Sequence, residues 1–358
     1  MIPIGQMIGQ SGEWLAASGP EADRILSTRV RLARNLAGTH FVGRAVEDDL
    51  LRIFRSVSAA SLETSEFQGG AAQQIGELSV LDRQFLLERR LVSHDLTGES
   101  TGRGLIVAPG ERSSILVNEE DHVRIQALEG GFHIEEAYQR ATRIDEALEG
   151  RLSFAWSDDL GYLTACPTNV GTGMRASVLM HLPALVLSQK MRKILVGVNQ
   201  VGLTVRGYYG EGTDVMGNFF QISNQVTLGE SEQETMTKLT RVIRQILEWE
   251  DKAQEQLVRQ ARLQIEDKVL RALGVLRCNR LLSSQETIGL LSAVRFGHAL
   301  GLRPLPPISV LNELLVRCQP AHLQKAEGRE MNSEERNERR ARLVQRLLGV
   351  ADVPEPAS

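Results

Sequence analysis

Arginine is the residue type whose placement in this chain most suggests joint chemistry. Residues 24–46 contain no Asp or Glu but carry Arg24, Arg29, Arg31, Arg34 and Arg44. Residues 160–210 are equally free of acid and hold Arg175, Lys190, Arg192, Lys193 and Arg206, a local charge of +5 in a chain whose formal net charge is −4. A guanidinium fork matches phosphate oxygens bidentately, so several forks converging on one cleft would bind a polyphosphate. In Ser27-Thr28-Arg29-Val30-Arg31-Leu32 apolar and basic residues alternate. A strand would therefore put Val30 and Leu32 on a core face and both arginines on the other. From this stretch alone, a solvated strand face is an equal alternative.

Two acidic groups stand against these cations: Asn118-Glu119-Glu120-Asp121-His122 and Gly210-Glu211-Gly212-Thr213-Asp214. Carboxylates beside a polyphosphate repel it unless they serve a cation, so they imply either a bound Mg²⁺ or a cationic acceptor such as a guanidinium. A hairpin end and a solvent loop remain the plain reading. The segment Cys166-Pro167-Thr168-Asn169-Val170-Gly171-Thr172-Gly173-Met174-Arg175-Ala176-Ser177 reads as a strand, a glycine turn and a helix start, whose free N–H groups would take an anion. Gly171-x-Gly173-x-x-Ala176 imitates a dinucleotide fingerprint, but no acidic residue follows before Glu211 to hold a ribose. A Gly-x-x-x-x-Gly-Lys-Ser/Thr loop is also missing, so a nucleotide here depends on arginines.

The elements that must position these residues change in texture along the chain. Up to about Gly229 the apolar runs are short and broken by glycine turns. Residues 103–108 and 113–118 predict a hairpin around Pro109-Gly110-Glu111-Arg112. Residues 154–157 with 162–165, 193–198 with 202–206, and 218–223 predict further antiparallel strands. Ile134, Ala137, Tyr138, Ala141, Ile144 and Leu148 keep one helical face. The expectation is an α+β fold, a large antiparallel sheet flanked by helices. From Met236 the periodicity is helical, through Leu239, Val242, Ile243, Ile246 and Leu247 and on past Glu248; Pro304-Leu305-Pro306-Pro307 separates a last basic helix near residues 334–348. This divides the chain into an extension (1–23), a catalytic domain (24–254), a small all-helical domain (255–350) and a frayed tail (351–358).

Composition narrows the function classes. With 41 Lys and Arg against 45 Asp and Glu, bulk charge selects neither nucleic acid nor an anionic membrane. At 42% hydrophobic and 24% charged the chain is globular rather than disordered. Cys166, Cys278 and Cys318 are too few and scattered for a disulfide framework or a zinc site, which points to a reducing, cytoplasmic setting. The first twenty residues lack the charged and apolar regions of a signal peptide, and no apolar run approaches the roughly 20 residues a membrane span needs.

In order and spacing, Ser27 to Arg31, Asn118 to Arg124, Cys166 to Ser177, Arg206 to Glu211 and Gln221-Ile222-Ser223-Asn224 resemble the catalytic signatures of the ATP:guanido phosphotransferases. That family contains kinases of free guanidines and a bacterial branch acting on arginines of proteins. The free-guanidine kinases place a helical domain of roughly a hundred residues before the first of these strands. Only 26 residues precede Ser27, and the helical carboxyl domain resembles the protein-directed branch, so the site is expected to be open to an arginine on another protein.

The resemblance implies Mg-ATP as the phosphoryl donor. It gives the nucleotide to Ser27, Thr28, Arg29, Val30 and Arg31, to Arg90 and Arg124, to Arg175, Ala176, Ser177, Val178 and Leu179, and to Arg206, Gly207, Tyr208, Tyr209 and Gly210. Glu120 and Glu211 correspond to the carboxylates that hold the guanidinium, and Cys166 to a substrate-side thiolate that nearby arginines would favour. His122 is expected to be structural. Two departures matter. Arg90 stands where the family usually has a histidine near the nucleotide. Arg336-Asn337-Glu338-Arg339-Arg340-Ala341 stands where the protein-directed branch has an Arg-Asp-x-x-Arg-Ala phosphoarginine site; a solvated basic helix is the equal alternative there. The resemblance also suggests a homodimer, protein substrates, a stress-response role, and an McsA-like activator, a Clp-type protease and a repressor as partners. Two other readings stand beside a protein-arginine kinase: a kinase of a free small guanidine, and a non-catalytic adaptor that binds phosphoarginine.

Overall fold

The computed structural model describes residues 1–98, 101–207 and 216–350. Tyr208, Tyr209, Gly210, Glu211 and the expected tail 351–358 lie outside the described residues. Eight strands form one antiparallel sheet: β1 (Ile25–Arg34), β2 (Ala71–Gln74), β3 (Gly104–Val107), β4 (Ser113–Val117), β5 (Val123–Gly130), β8 (Met174–His181), β9 (Leu203–Arg206) and β10 (Phe219–Asn224), while β6 (Trp156–Ser157) and β7 (Gly161–Tyr162) make a separate small hairpin. The order across the large sheet is β2-β3-β4-β5-β1-β8-β10-β9. The strand richest in arginine therefore lies at its centre, paired with β5 and β8, although these partners are far away in sequence.

Helices α1 (Ile4–Met7), α2 (Glu47–Leu62), α3 (Val80–Glu88), α4 (Ile134–Glu149), α5 (Pro183–Leu187) and α6 (Met191–Gln200) belong to the first part; α7 (Glu232–Cys278) to α11 (Ser333–Leu347) follow, with α8 (Ser284–Ala299), α9 (Ile308–Arg317) and α10 (Pro320–Glu327) between. On one sheet face Val30, Leu32, Ile125, Ala127, Ala176 and Val178 bury against Ala137, Ala141 and Ile144 of α4 and Ile243 and Ile246 of α7. α7 starts at a capping box in which Ser231 and Glu234 satisfy each other's backbone N–H. It passes residue 254 unbroken and bends at Ala261, whose φ of −148° is not helical. A second core joins Leu128, Leu179 and Trp14 to Leu291, Leu315 and Val344 of the carboxyl-terminal helices. Among the described residues no helix is long and apolar enough to cross a membrane.

Two expectations of local structure are corrected. Residues 193–198 lie in helix α6, because the two apolar residues that find the core, Ile194 and Val198, are four apart. The segment after Gly173 is strand β8 rather than a helix: Met174, Ala176, Val178 and Met180 alternate inward, so no helix amino terminus waits there for an anion.

Candidate active site

Sheet pleat and register build the site. Because β1 alternates, Arg29 and Arg31 leave the core face together, and in an antiparallel pair directly opposed residues share a face. Arg29 stands opposite Leu128 and Ser177, Arg31 opposite Gln126 and Arg175, and Ala33 opposite Arg124. Gln221 of β10 opposes Leu179 and Arg206, which carries the same face to the sheet edge. A cavity of about 580 Å³ opens on this face, lined by Arg31, Arg124, Arg175, Arg206, Asp95, Arg103, Glu119, Glu120, Cys166, Thr168 and Asn169 among others. Arg29 and Arg90 line a narrow adjoining cleft with Ser27, Ser177, Leu179 and Gln221. Thr28, Val30, Ala176 and Val178 turn to the opposite face. The Thr28 hydroxyl donates to the Gly131 carbonyl at 2.6 Å, and the other three are core residues. Gly207 directly follows β9, next to Arg206.

The guanidinium groups crowd one another. Burial, then the cations Arg90 and Arg124, push Arg29 down to about 9; burial and Arg29 hold Arg31 well below the usual arginine range. Both side chains keep some solvent exposure. Among the described residues Arg29 donates only long bonds, to the side-chain oxygens of Gln126 at 3.4 Å and Gln221 at 3.5 Å. Such a cluster, in which burial and neighbouring cations outweigh the opposing charge of Glu119, is preorganised for a polyanion.

On the other wall, Glu120 accepts a hydrogen bond from Arg124 at 2.7 Å and from the Asn169 amide at 3.3 Å. Asn169 in turn accepts from Arg175 Nε at 3.1 Å, Arg175 Nη2 donates to Thr168 at 3.1 Å, and Thr168 Oγ1 lies 3.0 Å from Cys166 Sγ. One chain of polar contacts thus runs from carboxylate to thiol. Glu120 is 41% exposed, whereas Glu119 is nearly buried, paired with Arg124 and hydrogen-bonded by Ser93. Its neighbours are scaffold. Asn118 donates to the carbonyls of Leu50 and Gly102. Buried Asp121 accepts from Asn35 at 2.6 Å and from the Ala165 amide at 2.7 Å, which seats the wall that carries Cys166. Burial raises the Asp121 carboxyl above its ordinary range. His122 Nδ1 accepts from the Leu36 amide and its Nε2 lies 2.9 Å from the His40 carbonyl, a structural role. Glycine is required at the turn into β8: at Gly173, φ is +64° and a Cβ would sit 2.6 Å from the Ala33 carbonyl oxygen.

Reading the sequence alone names Glu119, Thr168, Asn169 and Gln221 within motifs but gives them no role of their own, and it passes over Asp95, Arg103 and Gln126 as site residues. For Gln126 a signal exists, since it shares the Arg124 parity in a strand; for Asp95 and Arg103 none does. In α11, Arg340 is 1% exposed and gives its donors to the carbonyls of Cys318 and Leu282 and to Asn337 Oδ1, while Arg336 donates to the Met331 carbonyl. A fully solvated helix does not describe this segment, and its Glu338, Arg339 and Ala341 line a cavity with Arg280, Arg317 and Arg342. Among the described residues no group of three or more His, Cys, Asp or Glu converges as a metal cage.

Comparison with known proteins places this site in a family. The model of the ATP:guanido phosphotransferase carboxyl-terminal catalytic domain matches residues 52–253. The chain belongs to the ATP:guanido phosphotransferase family. Residues 262–357 match the protein-arginine kinase McsB carboxyl-terminal domain. A protein-arginine kinase of Symbiobacterium thermophilum is 46% identical over 94% of this chain and 96% of its own, and one of Pelotomaculum thermopropionicum is 44% identical over 93% and 94%. Among solved structures, a taurocyamine kinase of Schistosoma mansoni with transition-state analogue components superposes with a TM-score of 0.59 at 28% identity, over 67% of this chain and 34% of that one. A lombricine kinase does so with 0.58 at 25% identity, over 66% and 70%.

Proposed function

We propose that this chain is an ATP-dependent protein-arginine kinase, moving the γ-phosphoryl group of ATP to a guanidinium nitrogen of an arginine side chain. The observation that carries the reading is the single cavity in which Arg31, Arg124, Arg175 and Arg206 face Glu120 and Cys166. The relatives named as protein-arginine kinases, similar along nearly the whole chain, support it.

In this reading the arginines hold the phosphates and spread the charge of the transferring group. The reaction needs little covalent help from the protein, so rate comes from alignment and electrostatics. A guanidinium has a pKa above about 12 and must lose a proton as its nitrogen attacks phosphorus. The N–P bond forms as the bond between phosphorus and the β–γ bridging oxygen breaks; ADP leaves, and the proton passes to a carboxylate. Glu120 suits this task, because in the structure it already binds a guanidinium, that of Arg124. Glu211 is its counterpart by the resemblance, and Cys166 lines the acceptor side. Mg²⁺ would come bound to ATP and would neutralise charge on the phosphates that the arginines hold.

Phosphoarginine binding at Arg336, Asn337 and Arg340 would require Arg340 to exchange carbonyl partners for phosphoryl oxygens. The resemblance extends the proposal to a cytoplasmic homodimer in stress-linked protein quality control, with an McsA-like activator, a Clp-type protease and a repressor as partners. The test is to incubate the purified chain with Mg-ATP and either free arginine or an arginine-rich protein, and to quantify acid-labile phosphoarginine by mass spectrometry. Label on the protein is expected; label on free arginine alone sinks the reading in favour of a small-guanidine kinase.

A further inference from the structure

Three consecutive residues at the end of α3 each serve a different part of the molecule. Glu88 reaches the carboxyl-terminal helical domain: its Oε1 accepts the Ala321 amide at 2.8 Å, and its Oε2 accepts the His322 amide at 2.9 Å and His322 Nδ1 at 2.7 Å. It therefore caps α10 from another domain. Arg89, 2% exposed, pairs with both oxygens of Glu111 and donates to the carbonyls of Met7 at 3.1 Å and Gln10 at 2.9 Å. Its Nη1 lies 3.4 Å from His322 Nε2. Burial pushes the His322 ring below its ordinary pKa, which suits a neutral ring that donates from Nδ1 to Glu88 and accepts at Nε2 from Arg89. Arg90 then enters the cleft beside Arg29.

Arg90 holds a backbone conformation that a long side chain rarely adopts, with φ at +62°. Such a conformation persists where the surroundings over-determine it. Here Glu88 and Arg89 are anchored on one side, and the Arg90 carbonyl is held by Gln126 Nε2 at 3.0 Å on the other. The Arg90 guanidinium lies 6.0 Å from the Trp14 ring, and the carbonyl of the next residue, Leu15, accepts Asn312 Nδ2 of α9 at 3.1 Å. Leu128 and Leu179, which line the same cleft, pack into the core of the carboxyl-terminal helices. The helical domain thus touches the cleft by two routes, one polar and one apolar.

We propose that Glu88 and His322 are positioning residues for the nucleotide: they pass the seating of the carboxyl-terminal domain to Arg90, so that this domain sets the affinity of the cleft for ATP. The inference rests on reading that cleft as part of the nucleotide site. By linkage the effect is reciprocal, and bound nucleotide must steady the contact between α3 and α10.

The test uses the full-length chain and calorimetric Mg-ATP affinity, with kcat measured at saturating ATP. Glu88→Gln and His322→Gln should each weaken ATP about five- to tenfold, the low end of typical coupling between sites, with kcat within about twofold. Arg90→Ala should weaken ATP by at least as much, and adding Glu88→Gln to it should change little further. Unchanged ATP affinity in Glu88→Gln, or an undiminished effect of Glu88→Gln in the Arg90→Ala background, overturns the inference while leaving the nucleotide site standing. Unchanged affinity in Arg90→Ala alone overturns the reading of the cleft and the inference with it. Should a variant misfold, hydrogen exchange on the unaltered protein decides: Mg-ATP should slow the Ala321 and His322 amides, and equal rates at saturation overturn the proposal.

Discussion

Arg31 and Arg34 lie three residues apart on β1 and have opposite surroundings. Arg34, 1% exposed, faces inward. It makes hydrogen bonds to both oxygens of Asp145 at 2.6 to 3.2 Å, donates to the carbonyls of Ala33 and Thr172, and lies 3.4 Å over the Tyr162 ring. Arg31 faces the cavity among Arg29, Arg124 and Arg175, and its Nε makes no hydrogen bond. One residue type thus ties β1 to helix α4 at Arg34 and crowds like charges together at Arg31. A cation kept half-buried beside other cations opposes folding, and an anionic ligand offsets that cost. Between these two, the carboxylate partner marks Arg34 as structural, and crowding by like charge marks Arg31 as functional.

The comparison can be broken most forcefully from its functional side. Arg31→Gln should lower kcat/KM by about a thousandfold, the upper range for losing one preorganised charge-stabilising donor. Its thermal midpoint should stay level or rise, and a clear fall in stability would make Arg31 structural. From the other side, Asp145→Ala should cost ~3 kcal/mol in denaturant unfolding, because it leaves the buried Arg34 charge unpaired, with KM for ATP held within about twofold for the folded fraction. A softer probe is Asn169→Ala. It removes the amide between Glu120 and Arg175 and should reduce kcat about tenfold, as expected for a hydrogen bond to a charged group, without altering stability.

Glu250 supplies the smallest effect and the acidic mirror of Arg31. It accepts the amides of Ala184 at 2.7 Å and Leu185 at 3.0 Å, and burial pushes its carboxyl up to about 7. Between about 4.5, its ordinary value, and 7 the unfolded chain releases this proton while the folded chain keeps it, so stability falls as pH rises through that window. Urea midpoints at several pH values should show a shallower decline in Glu250→Gln. An identical slope would show that folding does not raise the Glu250 carboxyl above its ordinary range.

Much of the site was legible because alternation is a local property. The sequence around Arg29 and Arg31 already implied two forks on one side of a strand, and Asn118 to Arg124 and Cys166 to Ser177 carried recognisable chemistry. Residues 193–198 misled because the β-branched Ile194, Val196 and Val198 alternate as in a strand, while burial of Ile194 and Val198, four apart, made the segment a helix. The helix expected after Gly173 failed for the reverse reason: β8 is covered on its core face and bears Arg175 and Ser177 on the other, which small alternating residues disguise. Asp95 and Arg103 had no local signature at all, since they enter the cavity from the turn after α3 and the approach to β3.

From composition and residue order alone came the antiparallel sheet, the inward and outward parity of β1, and the kind of chemistry its arginines allow, because pleat and charge travel with neighbouring residues. Long-range pairing decided which cations share a cavity: Ala33 with Arg124 and Arg31 with Arg175 are cross-strand partners. It also decided that Arg34 meets Asp145, and that the carboxyl-terminal helices grip Glu88 next to Arg90. Those relations depend on closing loops of many tens of residues, whose cost is offset only when the buried faces on both sides fit.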